Sequence, residues 1–157
     1  MFDDENVALA ERALDRLGTT EPRLQAQVHR MLAGHYLRAA KGDEAETHVQ
    51  AAVVIASESD DPVMLAELRV DIGVRLLGRL EHTEARKVLD EAVELAATAN
   101  HPGAGGLAFL QLLRTILQIG DIPAFRQCLI RFSEFIKAHG GASSDVDVHA
   151  LAPAMLA

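Results

Sequence analysis

Seven histidines are the side chains of this sequence best suited to acid–base or metal chemistry. No HExxH motif occurs, and no two histidines stand four residues apart with a carboxylate that could complete a zinc site. His29 and His35 are six residues apart, which places them on different faces of a helix. The spacing predicts surface or packing histidines without a metal site, at positions His29, His35, His48, His82, His101, His139 and His149.

Nucleophilic and nucleotide-binding chemistry is not favoured either. The single cysteine, Cys128, excludes an internal disulfide and a multi-cysteine zinc site, and no matched histidine and aspartate accompany it. A small half-buried filler is the favoured interpretation of Cys128. Gly103, Gly105 and Gly106 lack the lysine of a phosphate loop and follow a predicted helix, so we expect a frayed helix start there. The sequence therefore predicts no enzyme and no cofactor.

The charge balance disfavours some classes of binding partner. Fifteen basic residues against 23 acidic ones give a formal net charge of −8, whereas nucleic-acid binding draws most of its affinity from a basic face. The longest apolar runs, such as residues 51–56, are too short to span a bilayer. The acidic start at residues 1–5 is unlike a signal peptide. We therefore expect a cytoplasmic protein with no direct nucleic-acid or membrane contact.

The elements that position these side chains are expected to be helices. Alanine and leucine account for 26 and 21 of the 157 residues, and aromatic residues for only 4%. Prolines recur every 40 residues, at Pro22, Pro62 and Pro102. Apolar positions recur at the same offset, for example at Leu32, Ile72 and Leu112. Within each helix the apolar positions are three and four residues apart, which is the spacing of one buried helical face. The pattern predicts repeated helix pairs, with proline in the first turn of each first helix.

The repeat also predicts boundaries. Gly42 is expected to take the left-handed exit of the first turn with Asp43 as the next cap; Gly120 and Asp121 do the same in the third unit, and Thr83 is the expected cap in the second. One domain over 1–157 would hold repeats at about 22–61, 62–101 and 102–141, with partial units at 4–20 and 143–157. The predicted helices are 4–17, 22–41, 43–58, 62–80, 83–99, 103–119, 121–139 and 145–156.

The units resemble the tetratricopeptide repeat. The residues that carry the resemblance are Leu32-Ala33, Tyr36, Ala45, Val49 and Ala52 in the first unit and Ile72-Gly73, Leu76, Ala85, Leu89 and Ala92 in the second. The period of 40 residues is longer than the usual 34 or so and is similar to that of helical sensor arms of bacterial transcription regulators. The resemblance implies an all-α, right-handed superhelical array of antiparallel helix pairs, a solenoid. Ala33, Ala45, Gly73 and Ala85 would lie where paired helices cross.

The resemblance also implies a function and a site. Tetratricopeptide arrays bind partner segments on a concave surface lined by the first helices, which here would carry Arg30, Arg38, Asp71, Gln111 and Arg114. Arginines on an acidic chain would select a carboxylate-bearing protein or peptide. The competing interpretation is that they pair with Glu67, Asp71 or a neighbouring subunit. Three functions stay open: a protein-interaction or regulatory scaffold, a ligand-sensing arm of a transcription regulator, and a homodimerisation element that uses the array ends.

Overall fold

The structure, a computed structural model, describes residues 4–18 and 20–140 and is all-helical over those ranges, with seven helices and no strand. The predicted helix at 145–156 and the partial unit at 143–157 lie outside the described residues. No helix within the described ranges has the length and apolar character needed to cross a membrane. The helices are α1 (Asp4–Leu17), α2 (Pro22–Arg38), α3 (Gly42–Glu58), α4 (Pro62–Gly78), α5 (His82–Thr98), α6 (Pro102–Ile119) and α7 (Ile122–His139).

The predicted helix boundaries are confirmed to within three residues, and α1 agrees at both ends. From α2 onward the helices begin at residues 22, 42, 62, 82, 102 and 122, a constant step of 20. The 40-residue repeat of the sequence is therefore two helices of nearly equal length. Proline stands in the first turn of α2, α4 and α6, as predicted.

Every turn from α2 to α7 is closed in the same way. The left-handed residue is the second one after each of α2 to α5 and the first one after α6. In every case the N–H of the residue that follows it donates to a carbonyl five positions back. Lys41 N donates to Tyr36 O at 2.9 Å, and the later turns repeat this bond at 2.9 to 3.3 Å. The left-handed residues are Ala40 (φ +59°), Asp60 (+49°), Leu80 (+63°), Asn100 (+50°) and Gly120 (+79°).

Two of the expected caps are wrong and one is confirmed. Ala40, rather than Gly42, takes the left-handed exit, and Gly42 is already the first residue of α3, so Asp43 is not its cap. Thr83 does not cap α5, which begins one residue earlier at His82. Asp121 caps α7 as predicted: its Oδ1 accepts from Ala124 N at 3.0 Å. His101 Nδ1 and Asp61 Oδ1 accept equivalent bonds at α6 and α4.

Residue contacts group the chain into two compact units, and the boundary falls inside α4, between Leu68 and Arg69. The single domain over residues 1–157 stays a prediction. The core of the first unit includes a cluster of Ala26, Ala52, Ala56, Met64 and Leu68. The core of the second unit is larger and includes Phe109, Leu112, Ile116, Phe125 and Phe135.

Small residues allow close packing where the repeat predicts it. Ala33, Ala45 and Ala85 are buried. Gly73 is buried too, and a Cβ built on it would lie 2.6 Å from Leu89 Cγ, so only glycine fits at this point between α4 and α5. The sequence did not predict a closer approach at Gly105, where a Cβ would lie 2.0 Å from Phe135 Cζ on α7. Gly105 therefore belongs to the core and not to a frayed helix start.

Candidate functional site

The five predicted binding residues divide between the two units. Arg30 and Arg38 lie on α2 in the first unit. Asp71 lies on α4, and Gln111 and Arg114 lie on α6, all in the second unit. All five are carried by first helices of the repeat.

In the first unit, the two arginines have different surroundings. Arg30 is half-buried, and its guanidinium forms an ion pair with the carboxylate of Glu67 on α4. This is the pairing that the competing interpretation names, and it fastens α2 to the start of α4. Arg38 is exposed at the last position of α2 and forms no ion pair with any residue that the structure describes.

In the second unit, α6 presents an apolar surface around Arg114. Leu107, Leu110 and Leu117 are 53%, 56% and 50% exposed, and Arg114 is exposed as well. Steps of three and four residues place these side chains on one side of the helix. Gln111 lies among them, half-buried, and its Oε1 is buried without a hydrogen-bond partner in the described structure. We call Leu107, Leu110, Gln111, Arg114 and Leu117 the α6 face.

Arg114 is the only basic residue of the α6 face. It has no ion pair within residues 4–18 and 20–140, so its charge is not neutralised by a described carboxylate. Asp71, the other predicted binding residue of the second unit, is half-buried on α4 and is not part of the α6 face. The α6 face thus combines exposed leucines with one guanidinium that can bind a carboxylate by paired hydrogen bonds.

A cluster of titratable side chains in the first unit was not found by sequence reasoning. His29 on α2 and His48 on α3 place their Nδ1 atoms 2.9 Å apart. The ring of Tyr36 stacks on His48 with centroids 5.4 Å apart and an interplanar angle of 4°. The Tyr36 hydroxyl donates to Glu11 Oε1 on α1 at 3.1 Å. These four residues, the histidine cluster, connect all three helices α1, α2 and α3.

Burial controls the protonation of this cluster. It lowers the pKa of both imidazoles; repulsion from His48 lowers that of His29 further, while Glu11 opposes part of the shift at His48. Burial also raises the pKa of Tyr36, and the hydrogen bond to Glu11 adds to this. Within the described ranges, no group of three or more histidine, cysteine, aspartate or glutamate side chains is arranged to hold a metal ion. Burial therefore favours the neutral form of both imidazoles, and the histidine cluster is a hydrogen-bonded contact between the three helices.

Cys128 occupies the core of the second unit. It is 2% exposed on α7, and burial raises the pKa of its thiol to about 11. A thiol with that pKa is protonated at neutral pH and is a poor nucleophile. Cys128 is more deeply buried than the half-buried filler expected from the sequence.

Comparison with known proteins adds no assignment. No protein-family model matches this sequence, and no curated protein matches it.

Proposed function

We propose that this chain is a protein-binding helical repeat, a scaffold or regulatory module with a tetratricopeptide-like superhelical arrangement. Its first helices hold a segment of a partner protein. In the second unit the segment binds the α6 face through apolar side chains and one carboxylate. In the first unit Arg38 is available for a similar contact, whereas Arg30 is engaged by Glu67.

One observation carries this proposal: three leucines stand half exposed around an arginine without a described ion-pair partner. Each helix of an isolated domain tends to turn its apolar residues inward, and a contiguous exposed apolar surface indicates a binding site. The inward side of α6 is already filled by Phe109, Leu112 and Ile116. The leucines of the α6 face are therefore additional to the core.

Charge selects the partner class. The chain has a formal net charge of −8, which disfavours nucleic acid. Arg114 lies within an apolar surface, where a guanidinium–carboxylate pair is less exposed to water and screening salt than on an open helix. The expected partner is a peptide segment with leucine- or phenylalanine-like anchors next to an aspartate or glutamate.

The test uses a panel of synthetic peptides that combine two apolar anchors with one glutamate at varied spacing, titrated calorimetrically into the full chain. The peptide that binds best is then titrated into Leu110→Ser and Arg114→Glu variants. We expect each substitution to weaken binding by about tenfold or more, equivalent to about 1.4 kcal/mol. Arg126→Glu is the matched control, because Arg126 is an exposed arginine on α7 and the change alters the net charge equally.

Two results would overturn the proposal. If Leu110→Ser and Arg114→Glu bind the peptide as the wild type does, the α6 face is not the site. If sedimentation shows a dimer that Leu110→Ser dissociates, the α6 face is a self-association surface between two copies of this chain.

A further inference from the structure

A second apolar surface lies in the first unit, between α1 and α2. It is an open groove of about 500 Å³. Its apolar walls come from every fourth residue of each helix, which forms a row along α1 and a second row along α2. The groove is lined by Leu9, Arg12, Ala13, Arg16, Leu17, Leu24 and Val28; we call it the α1–α2 groove.

Two large apolar side chains of the groove are exposed to solvent. Leu9 is 60% exposed and Leu24 is 45% exposed, on opposite walls. The row of Leu9, Ala13 and Leu17 spans two turns of α1, or about 12 Å at a rise of 1.5 Å per residue. An open channel with parallel rows of apolar side chains is the receptor shape for an amphipathic helix, whose anchors recur at three- and four-residue steps.

One edge of the groove is basic. Arg12 and Arg16 stand one turn apart on α1, beside the apolar row. Arg12 Nε donates to the backbone oxygen of Ala8 at 3.2 Å, which aligns its side chain with the helix. Neither arginine forms an ion pair with a residue that the structure describes.

Glu11 and Asp15, the acidic side chains of α1 that the structure describes, do not line the groove. Glu11 accepts the hydrogen bond from the Tyr36 hydroxyl, and Asp15 borders a neighbouring surface together with Ala8, Glu11 and Arg12. Arg12 therefore lies at the edge of both surfaces, whereas Arg16 borders the groove alone. Among the residues that the structure describes, the lining of the groove contains two guanidinium groups and no carboxylate. A carboxylate on an occupant would therefore meet attraction along this edge and no like-charge repulsion from the lining.

We infer that the α1–α2 groove binds an amphipathic helix of a partner protein that carries aspartate or glutamate along one edge of its apolar face. A second copy of this chain is a poorer occupant, because a symmetric contact would bring Arg12 and Arg16 of both copies together. An anionic amphiphile is also a poorer occupant, because the open groove leaves Leu9 largely in water. The site lies in the first unit and does not depend on the α6 face.

The experiment uses two designed helical peptides of about five turns each. Both carry leucines at three- and four-residue steps; one carries glutamates along one edge, and the other carries lysines at the same positions. Each is titrated calorimetrically into the full chain and into an Arg12→Glu/Arg16→Glu variant. We expect the wild type to bind the glutamate peptide at least about tenfold more tightly than the lysine peptide, and the variant to reverse that preference.

A matched control separates local from global charge. Arg79→Glu/Arg126→Glu changes the net charge by the same amount at exposed positions of the second unit, and we expect it to keep the wild-type preference. Circular dichroism compares the helix content of the Arg12→Glu/Arg16→Glu variant with that of the wild type and establishes whether the variant is folded.

Three outcomes would overturn the inference. The first is equal binding of the glutamate peptide by the wild type and the Arg12→Glu/Arg16→Glu variant. The second is binding of neither peptide while decanoate, added as a simple anionic amphiphile, protects the wild type against thermal unfolding but not the variant. The third is a wild-type dimer that Leu9→Glu converts to monomer.

Discussion

His29 on α2 and His48 on α3 hold their Nδ1 atoms 2.9 Å apart. At this distance one imidazole must donate and the other must accept. An imidazolium can only donate from both nitrogens, so protonation of both rings removes the hydrogen bond and places two like charges in contact. The contact between α2 and α3 is therefore made for the form in which at least one ring is neutral.

The first prediction is a loss of stability in mild acid. Burial lowers the pKa of both histidines in the folded chain below the ordinary value of 6.5. The unfolded chain then binds more protons as the pH falls below about 6.5, so the stabilisation is complete above that pH and declines below it. We expect the urea midpoint to fall between about pH 7.5 and 5.5, and His29→Gln/His48→Gln to reduce the fall.

The control for this experiment is His139→Gln, which removes an imidazole from the second unit, where it contacts Asn100 at 2.7 Å. That variant should keep the wild-type dependence on pH. An undiminished fall in the His29→Gln/His48→Gln variant would show that carboxylates elsewhere cause the acid sensitivity.

The helices could be predicted closely because their apolar periodicity and prolines are local signals. The residues that take the left-handed conformation in the turns could not be predicted in this way. Sequence reasoning looked for glycine at the left-handed position and chose Gly42, but Ala40 and Leu80 occupy that conformation. The hydrogen bonds of the turn and the packing of the helices on either side impose the backbone angle, whatever the side chain. Among the described turns, glycine occupies a left-handed position only after α1, at Gly18, and after α6, at Gly120.

The same holds for the candidate sites: features carried by one helix could be predicted, and contacts between two helices could not. Arg114 is exposed on α6, as its expected place on the first-helix surface requires, and Leu107 and Leu110 are exposed beside it. The contact between His29 and His48 was missed because the histidines were compared only along single helices. His29 and His48 lie on either side of the turn between α2 and α3. Gly105 and Phe135 likewise lie on either side of the turn at Gly120. Pairing residues across each predicted turn would have brought both contacts into consideration.

The second prediction concerns Gly105. A Cβ at this position would lie 2.0 Å from Phe135 Cζ, and the aromatic ring is rigid and buried in the core of the second unit. Gly105→Ala should therefore lower the free energy of unfolding by about 1–3 kcal/mol through overpacking. Urea denaturation measures the loss, and Phe135→Leu in the same chain should recover part of it, because the shorter side chain vacates the space.

Gly106 provides the matched comparison on the same helix. A Cβ there meets no atom within 4 Å, so Gly106→Ala should gain up to about 1 kcal/mol from helix propensity alone. Equal effects of the two substitutions would contradict the close contact between Gly105 and Phe135.

The third prediction concerns Leu80. Leu80 has a φ of +63°, a left-handed conformation in which Cβ lies too close to the following carbonyl oxygen. Its side chain is 74% exposed and therefore gains little from packing. Leu80→Gly should raise the free energy of unfolding by about 0.5–1 kcal/mol. Gly120→Ala makes the reverse change at a φ of +79° and should cost about 1–2 kcal/mol. A lower thermal midpoint for Leu80→Gly would show that contacts of the leucine outweigh its backbone strain.

The fourth prediction concerns Cys128, whose reactivity reports opening of the second unit. The thiolate is the reactive form, and with a pKa of about 11 only about one thiol in a thousand is ionised at pH 8. Burial to 2% exposure also blocks the reagent. We expect a disulfide reagent such as dithionitrobenzoate to label native protein at least about a hundredfold more slowly than urea-unfolded protein. The chain has one cysteine, so the released chromophore counts this site alone.

Labelling of the native protein as fast as a free thiol would contradict the place of Cys128 in the core. Gly105→Ala should accelerate labelling because it destabilises the same unit.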